Sequence, residues 1–306
     1  MGEYYDIRGK KIYAEILGER QKQALLFIHG GPGGIGCEDF VKYAGAKLSE
    51  NFRVVALDQR GVWRSEALKD DEKISLEDII EDFEEFRKQL GIEKWSLVSH
   101  SFGGYLSVLY ADLYPDSIDK IIYENPSFDF SLSERYMLKN AAMELIRLGK
   151  KNVGETYLKL MYHTTNYKDT NKLLMKSLGA LGSDGNNIMW YGEDKQVIEK
   201  IGRQRDRGKE LIKKSNKTRL KLLSDWRVYH NVFDKLAKID KPSLLIKGKY
   251  DPITSKKQIK EFLFDEAKGN DSERKVVRFD YSGHWPRVEE CEKYCKVVTE
   301  FLLEQE

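Results

Sequence analysis

Short apolar runs recur along this chain at lengths that suit strands and not helices. Ala24 to Ile28 and Arg53 to Leu57 are short apolar runs that supply strands. Similar runs at Lys11 to Leu17, Lys94 to Val98 and Ile118 to Tyr123 are rich in Ile, Val, Leu and aromatics and end in turn residues. Helix-period segments separate them. The clearest is Leu76 to Leu90, where Leu76, Ile79, Ile80, Phe83, Phe86 and Leu90 form one stripe, Ser75 with Asp78 makes a capping pair and Gly91 ends the pattern. Alternation of this kind calls for an α/β sheet with crossover helices.

After Glu124-Asn125-Pro126 the rhythm changes, and Ser127 to Asp234 carries helical patterns and few credible strands. Alternation resumes with a strand at Ser243 to Lys247, a helix near Lys256 to Phe264, a strand at Lys275 to Phe279 and a last helix over Glu289 to Leu303. The expected organisation is one mostly parallel sheet flanked by helices: residues 1–126 form the first part of the core, 127–234 an inserted helical cap, and 235–306 the second part of the core. A chain of 306 residues is long enough for a sizeable core plus such an insertion.

Charge is balanced, 52 Lys+Arg against 50 Asp+Glu, which argues against nucleic acid as a partner and for small molecules. The basic stretch Arg203 to Lys221 is interrupted by Asp206 and Glu210 and reads as a solvated helix face or loop, with an anion-recognition site as the alternative. Three cysteines, Cys37, Cys291 and Cys295, make neither a disulfide framework nor a zinc pattern. No apolar run reaches membrane-spanning length, and Met1 to Asp6 lacks a charged-then-apolar leader. A cytoplasmic protein without membrane partners is expected; oligomeric state is not legible.

Against this framework, Ser99-His100-Ser101-Phe102-Gly103-Gly104 stands at the end of an apolar strand and reads as a nucleophile elbow. Strand, turn and helix pack too closely there for bulk two residues either side of the apex. Ser101 at the apex is flanked by Ser99 and Gly103, both small; Ser99 at the apex would put Leu97 in one of those places. A serine hydroxyl needs a base and a group that orients it. His284, in Ser282-Gly283-His284-Trp285-Pro286, and Asp251, in Gly248-Lys249-Tyr250-Asp251-Pro252, each follow an expected strand. The order Ser, Asp, His in three such loops suits a hydrolytic triad. Glu124, after the Ile118 to Tyr123 strand, is the alternative acid; His29 and His100 are alternative bases.

The turn His29-Gly30-Gly31-Pro32-Gly33-Gly34 lets backbone approach a ligand closely and lacks the spacings of phosphate or dinucleotide loops. Gly31 and Phe102 are the expected N–H donors to a developing oxyanion. His29 is expected to brace the loop. No metal and no cofactor is called for.

These residues resemble the α/β-hydrolase superfamily and, within it, the proline iminopeptidase-like branch (peptidase family S33), on His-Gly-Gly-Pro-Gly-Gly at 29–34 and on Asp58-Gln59-Arg60-Gly61 with Arg64-Ser65. The resemblance implies the α/β-hydrolase fold, the triad Ser101, Asp251 and His284, and the oxyanion donors Gly31 and Phe102. It covers the two sheet portions and hardly the cap. Asp58 and Arg60 are expected to form a local ion pair. The elbow departs from the branch's Gly-Gly-Ser-Trp-Gly, Trp63 stands where the branch often has a small residue, and the branch's Trp-x-x-Trp-Glu element, whose acid holds a free amine, is missing.

The expected activity is therefore cleavage of a small or medium-sized carboxylic ester or lactone through an acyl-enzyme. A prolyl-type aminopeptidase is the same-class alternative, and a non-catalytic ligand receptor or carrier with the hydrolase fold is the other. Trp63, Trp190, Tyr191, Trp226 and Tyr229 are the candidate substrate-binding residues. The cap acids Glu144, Glu155, Glu193 and Asp194 are expected on the surface, and Tyr136, Met137, Met143, Tyr157, Met161 and Tyr162 in the cap core.

Overall fold

In the computed structural model, residues 2–34, 36–191, 208–264 and 273–304 are described. Eight strands form one sheet in the order β1-β2-β4-β3-β5-β6-β7-β8: β1 Glu3–Ile7, β2 Lys10–Leu17, β3 Ala24–Ile28, β4 Arg53–Leu57, β5 Trp95–His100, β6 Ile118–Glu124, β7 Ser243–Gly248 and β8 Arg274–Phe279. β2 pairs antiparallel with β1 and β4, and the remaining pairs are parallel. The seven strands expected from sequence are present within a few residues. β1 has no counterpart among them, because only Ile7 of its five residues is buried and strand pairing with β2 supplies what apolar periodicity does not.

The alternation of side chains divides the core between the two faces of the sheet. Leu26 and Ile28 of β3 join Val55, Leu57, Leu97 and Ile121 in one cluster, whereas Leu25 and Phe27 join Val54, Ala56, Val98 and Ile122 in the other. The helix Leu76–Gln89 covers the first face with Leu76, Ile79, Ile80, Phe83 and Phe86. Its expected cap is formed: Ser75 Oγ accepts from Asp78 N at 3.2 Å and Asp78 Oδ2 from Ser75 N at 2.9 Å. The helix Cys291–Leu303 covers the second face through Tyr294, Cys295 and Val298. No described helix is long and apolar enough to cross a membrane.

Between β6 and β7 the regular elements among the described residues are helices. Helices Phe130–Arg147, Lys151–His163 and Tyr167–Leu181 pack around Leu138, Met161 and Leu174, with Met137 and Tyr157 against them. Met143 and Tyr162 are instead exposed. Glu144 and Glu155 pair with Arg147 and Lys151 on the surface, while Glu193, Asp194, Arg203, Arg205, Asp206 and Arg207 lie outside the described residues. The helix Lys209–Leu223 corrects the reading of the basic stretch as merely solvated. Lys214 donates to Ser65 O at 2.6 Å, Lys217 to Leu68 O at 3.1 Å and Lys221 to Asp70 O at 2.8 Å. Their spacing puts three ammonium groups on one helical face, over a loop of the core that presents carbonyls.

Glu134, 6% exposed within this helical insertion, bonds Asn171 through one carboxylate oxygen and leaves Oε2 buried with no hydrogen-bond partner among the described residues. Burial outweighs Asn171 and Arg219 and pushes its carboxyl up to about 7. The folded chain thus favours the protonated acid, and stability is lost as pH rises from the ordinary carboxyl value through 7. Glu134→Gln should change stability little near pH 4 and raise it near pH 8 by up to ~3 kcal/mol. Urea unfolding at both pH values measures this, and equal effects at both would refute it.

Candidate active site

Ser101 stands between β5 and the helix Phe102–Leu113 with φ 55 and ψ −122, a left-handed conformation that a non-glycine residue keeps only where its surroundings enforce it. The enforcing bonds are Ser101 N to Glu124 O at 3.0 Å, and Ser127 N and Gly104 N to Ser101 O, both at 2.9 Å. Small neighbours are required as expected. A Cβ on Gly103 would lie 2.3 Å from Ile28 O, and Ser99, fully buried, turns its hydroxyl to Ile122 O at 3.2 Å.

Asp251 follows β7 and His284 follows β8, and the two meet: His284 Nδ1 lies 2.7 Å from Asp251 Oδ1. The other lone pairs of Asp251 accept from Ile253 N at 3.1 Å and Thr254 N at 2.9 Å, and Lys247 Nζ lies 3.0 Å from Oδ2. Burial alone would raise this carboxyl, but Lys247, His284 and the Thr254 N–H hold it well below the usual range. Asn125 fastens the two loops. Its side chain accepts from Gly248 N and donates to Gly283 O, each at 2.9 Å. The helical insertion completes the seat, since His284 N donates to Met189 O at 2.7 Å.

The glycine turn lies directly against Ser101: a Cβ on Gly30 would come within 2.9 Å of the Ser101 Cβ. Phe102 opens its helix, so its N–H has no place in the intrahelical ladder. His29 braces the turn as expected. Its Nε2 accepts from Gln59 N at 3.0 Å, which leaves Nδ1 to donate to Gly30 O at 2.7 Å. The expected Asp58–Arg60 pair is not made. Asp58 receives Arg64 Nε at 2.7 Å and Cys37 N at 2.8 Å, whereas Arg60 forks onto Asp82 at 2.7 and 2.6 Å. The two residues leave the end of β4 toward different partners, Asp58 to the loop before residue 38 and Arg60 to the helix Leu76–Gln89.

Ser101, His284 and Gly31 line one cavity of about 200 Å³ together with His100, Asp39, Met189, Trp285 and Arg287. None of the five candidate substrate-binding residues is among its lining. Trp63 is buried, with its indole N–H on Glu38 at 2.9 Å. Trp190 backs the cavity by stacking on Trp285, ring centres 4.4 Å apart. Tyr191 rests on Tyr250 and Tyr281, Tyr229 stacks on Tyr167, and Trp226 is 60% exposed. Sequence reasoning passed over Trp285, Arg287 and His100 as lining residues, although their places next to His284 and Ser101 were the signal. Glu124, the alternative acid, meets Arg287 instead of His284, through Nη1 at 2.5 Å and the backbone N–H at 3.1 Å.

The family model described as alpha/beta hydrolase fold matches residues 23–290. The chain is an α/β hydrolase. It is 28% identical over 306 residues to a proline iminopeptidase of Saccharolobus solfataricus, covering 98% of this chain and 91% of that one, and 26% identical to a proline iminopeptidase of Clostridioides difficile, covering 98% and 97%. These relatives agree with the proline iminopeptidase-like resemblance. Among solved structures, a proline iminopeptidase-related protein from Thermus thermophilus superposes with a TM-score of 0.71 at 20% identity, over 99% of this chain and 96% of that one. The enol-lactonase of Burkholderia xenovorans does so with 0.66 at 18%, over 99% and 100%. Both show the fold.

Asp251 and Glu124 occupy the ends of neighbouring strands, and only Asp251 bonds the imidazole. On the expectation that Asp251 is the acid that orients His284, Asp251→Asn should lower kcat by about 10⁴, and Glu124→Gln by far less. Steady-state kinetics on one aryl ester compares them, and a larger loss for Glu124→Gln would reverse the assignment.

Proposed function

We propose that this hydrolase cleaves a small or medium-sized carboxylic ester or lactone through an acyl-enzyme. The observation that carries the reading is the His284–Asp251 bond of 2.7 Å in a cavity that Ser101 also lines. In this reading Ser101 Oγ attacks the carbonyl carbon and His284 Nε2 takes the hydroxyl proton. Asp251, kept ionised, holds the Nδ1–H tautomer and stabilises the imidazolium. The backbone N–H groups of Gly31 and Phe102 receive the oxyanion. The imidazolium returns its proton to the leaving alkoxide, and water repeats the sequence to release the acid and free Ser101. Residues 127–234 act as the cap over this site, between core parts 1–126 and 235–306. The cysteines Cys37, Cys291 and Cys295, all free, suit a reducing, cytoplasmic setting.

A serine-directed phosphonate should label the protein and leave Ser101→Ala unlabelled, with mass spectrometry as the readout; equal labelling of both would remove Ser101 from the mechanism. His284→Ala should lower kcat by roughly 10⁴ to 10⁶.

A second reading, release of a small N-terminal residue such as proline, draws on the names of the two full-length relatives. Such a site must compensate a buried ammonium, and the described acids Glu144 and Glu155 are spent on surface pairs. Parallel assays should give higher kcat/KM on aryl acetates than on proline arylamides. Dominant arylamide turnover would establish the aminopeptidase instead.

A further inference from the structure

One wall of the cavity has no part in the proposed acyl transfer. It consists of His100, Asp39 and Arg287, with Glu124 behind them. Arg287 is 1% exposed; its Nη2 lies 2.6 Å from Asp39 Oδ2 and its Nη1 2.5 Å from Glu124 Oε2, but its Nε is buried with no partner among the described residues. His100 Nδ1 lies 3.3 Å from Glu124 Oε2 without forming a hydrogen bond to it. A Cβ on Gly30, another lining residue, would come within 3.2 Å of His100 Cδ2, so the Cδ2–Nε2 edge of the ring is the one turned to the glycine side of the cavity. Burial, reinforced by Arg287 and His284, keeps this imidazole neutral.

Such a wall is costly. Each buried ion loses several kcal/mol of hydration that an apolar lining would not forfeit, and pockets for hydrocarbon groups are lined mainly by apolar side chains. Every carboxylate oxygen of the wall already accepts a hydrogen bond within the protein. Asp39 Oδ1 takes Phe40 N at 2.7 Å, its Oδ2 takes Arg287, and both Glu124 oxygens take Arg287. The groups of the wall that have no hydrogen-bond partner among the described residues are the Nε–H of a fixed guanidinium and Nδ1 of a neutral imidazole. That complement fits an oxygen with lone pairs better than a methyl group or an ammonium.

Resting on the ester-hydrolase reading, we infer that Arg287 and His100 form a subsite for an oxygen function on the substrate's acyl group, so that hydroxy- or oxo-acyl esters are preferred over plain alkyl ones. The substrate class is thereby narrowed to oxygenated acyl esters or lactones. Asp39 and Glu124 serve this subsite by fixing the guanidinium.

The test uses three 4-nitrophenyl esters of one size, those of 2-methylpropanoic, 2-hydroxypropanoic and 2-aminopropanoic acid, which present a methyl, a hydroxyl or an ammonium at the same carbon. The hydroxy ester should exceed the methyl ester about tenfold in kcat/KM, the scale of one buried hydrogen bond. In Arg287→Met that ratio should fall to near one. Because this change leaves two carboxylates without their cation, the triple variant Arg287→Met/Asp39→Asn/Glu124→Gln is measured beside it, with the same ratio expected. Equal rates on the hydroxy and methyl esters by the wild type, or a ratio that survives in both variants, would overturn the inference. A preference for the amino ester would also overturn it and assign the carboxylates to an ammonium. If none of the esters turns over and Ser101→Ala behaves like the wild type, the hydrolase reading falls and takes this subsite with it; turnover without selectivity removes the subsite alone.

Discussion

The closeness with which the helix Phe102–Leu113 seats on the end of β3 governs the site. Gly103 stands where a Cβ would be 2.3 Å from Ile28 O, and Gly30 where one would be 2.9 Å from the Ser101 Cβ. Strand, turn and glycine loop therefore share a space with no side-chain thickness between them. The chain can reverse there only by taking Ser101 through a left-handed conformation, a cost of order 1–3 kcal/mol that the fully buried parallel strands on both sides sustain. In return, the first N–H of the helix and the backbone of the glycine turn are delivered to the same place as a serine hydroxyl.

Two carboxylates at the ends of adjacent strands illustrate how environment separates chemically similar groups. Asp251 collects two backbone N–H groups, Lys247 and His284, and its carboxyl is driven down despite complete burial. Glu124, equally buried, has Arg287 as its main support and shares it with Asp39, and burial pushes its carboxyl up. The first arrangement suits a permanent anion beside an imidazole. The second suits a structural brace whose charge is spent on one guanidinium.

Much of this architecture was legible in the sequence because it rests on local rules. The apolar runs, the Ser75–Asp78 cap and the small residues around Ser101 each report a constraint acting within a few residues. Long-range pairings were less accessible. Asp58 and Arg60 are expected to form a local ion pair, yet each has a better-placed partner, Arg64 for one and Asp82 for the other. The aromatic residues at 190, 191, 226 and 229 look alike in sequence, and only tertiary packing decides that Trp190 backs the cavity while Trp226 faces solvent. The lysines at 214, 217 and 221 likewise read as solvated until the loop carbonyls they reach are in view.

The bond from His284 N to Met189 O, the stack of Trp190 on Trp285 and the acceptance of Tyr191 N by Glu289, whose other oxygen takes Gly283 N, make the helical insertion part of the histidine loop's own scaffold. Exchange of this insertion for that of a related hydrolase is therefore not a modular operation in this chain. A transplanted segment would have to bring a carbonyl to the place of Met189 and a flat ring to the place of Trp190, or the imidazole would lose its footing.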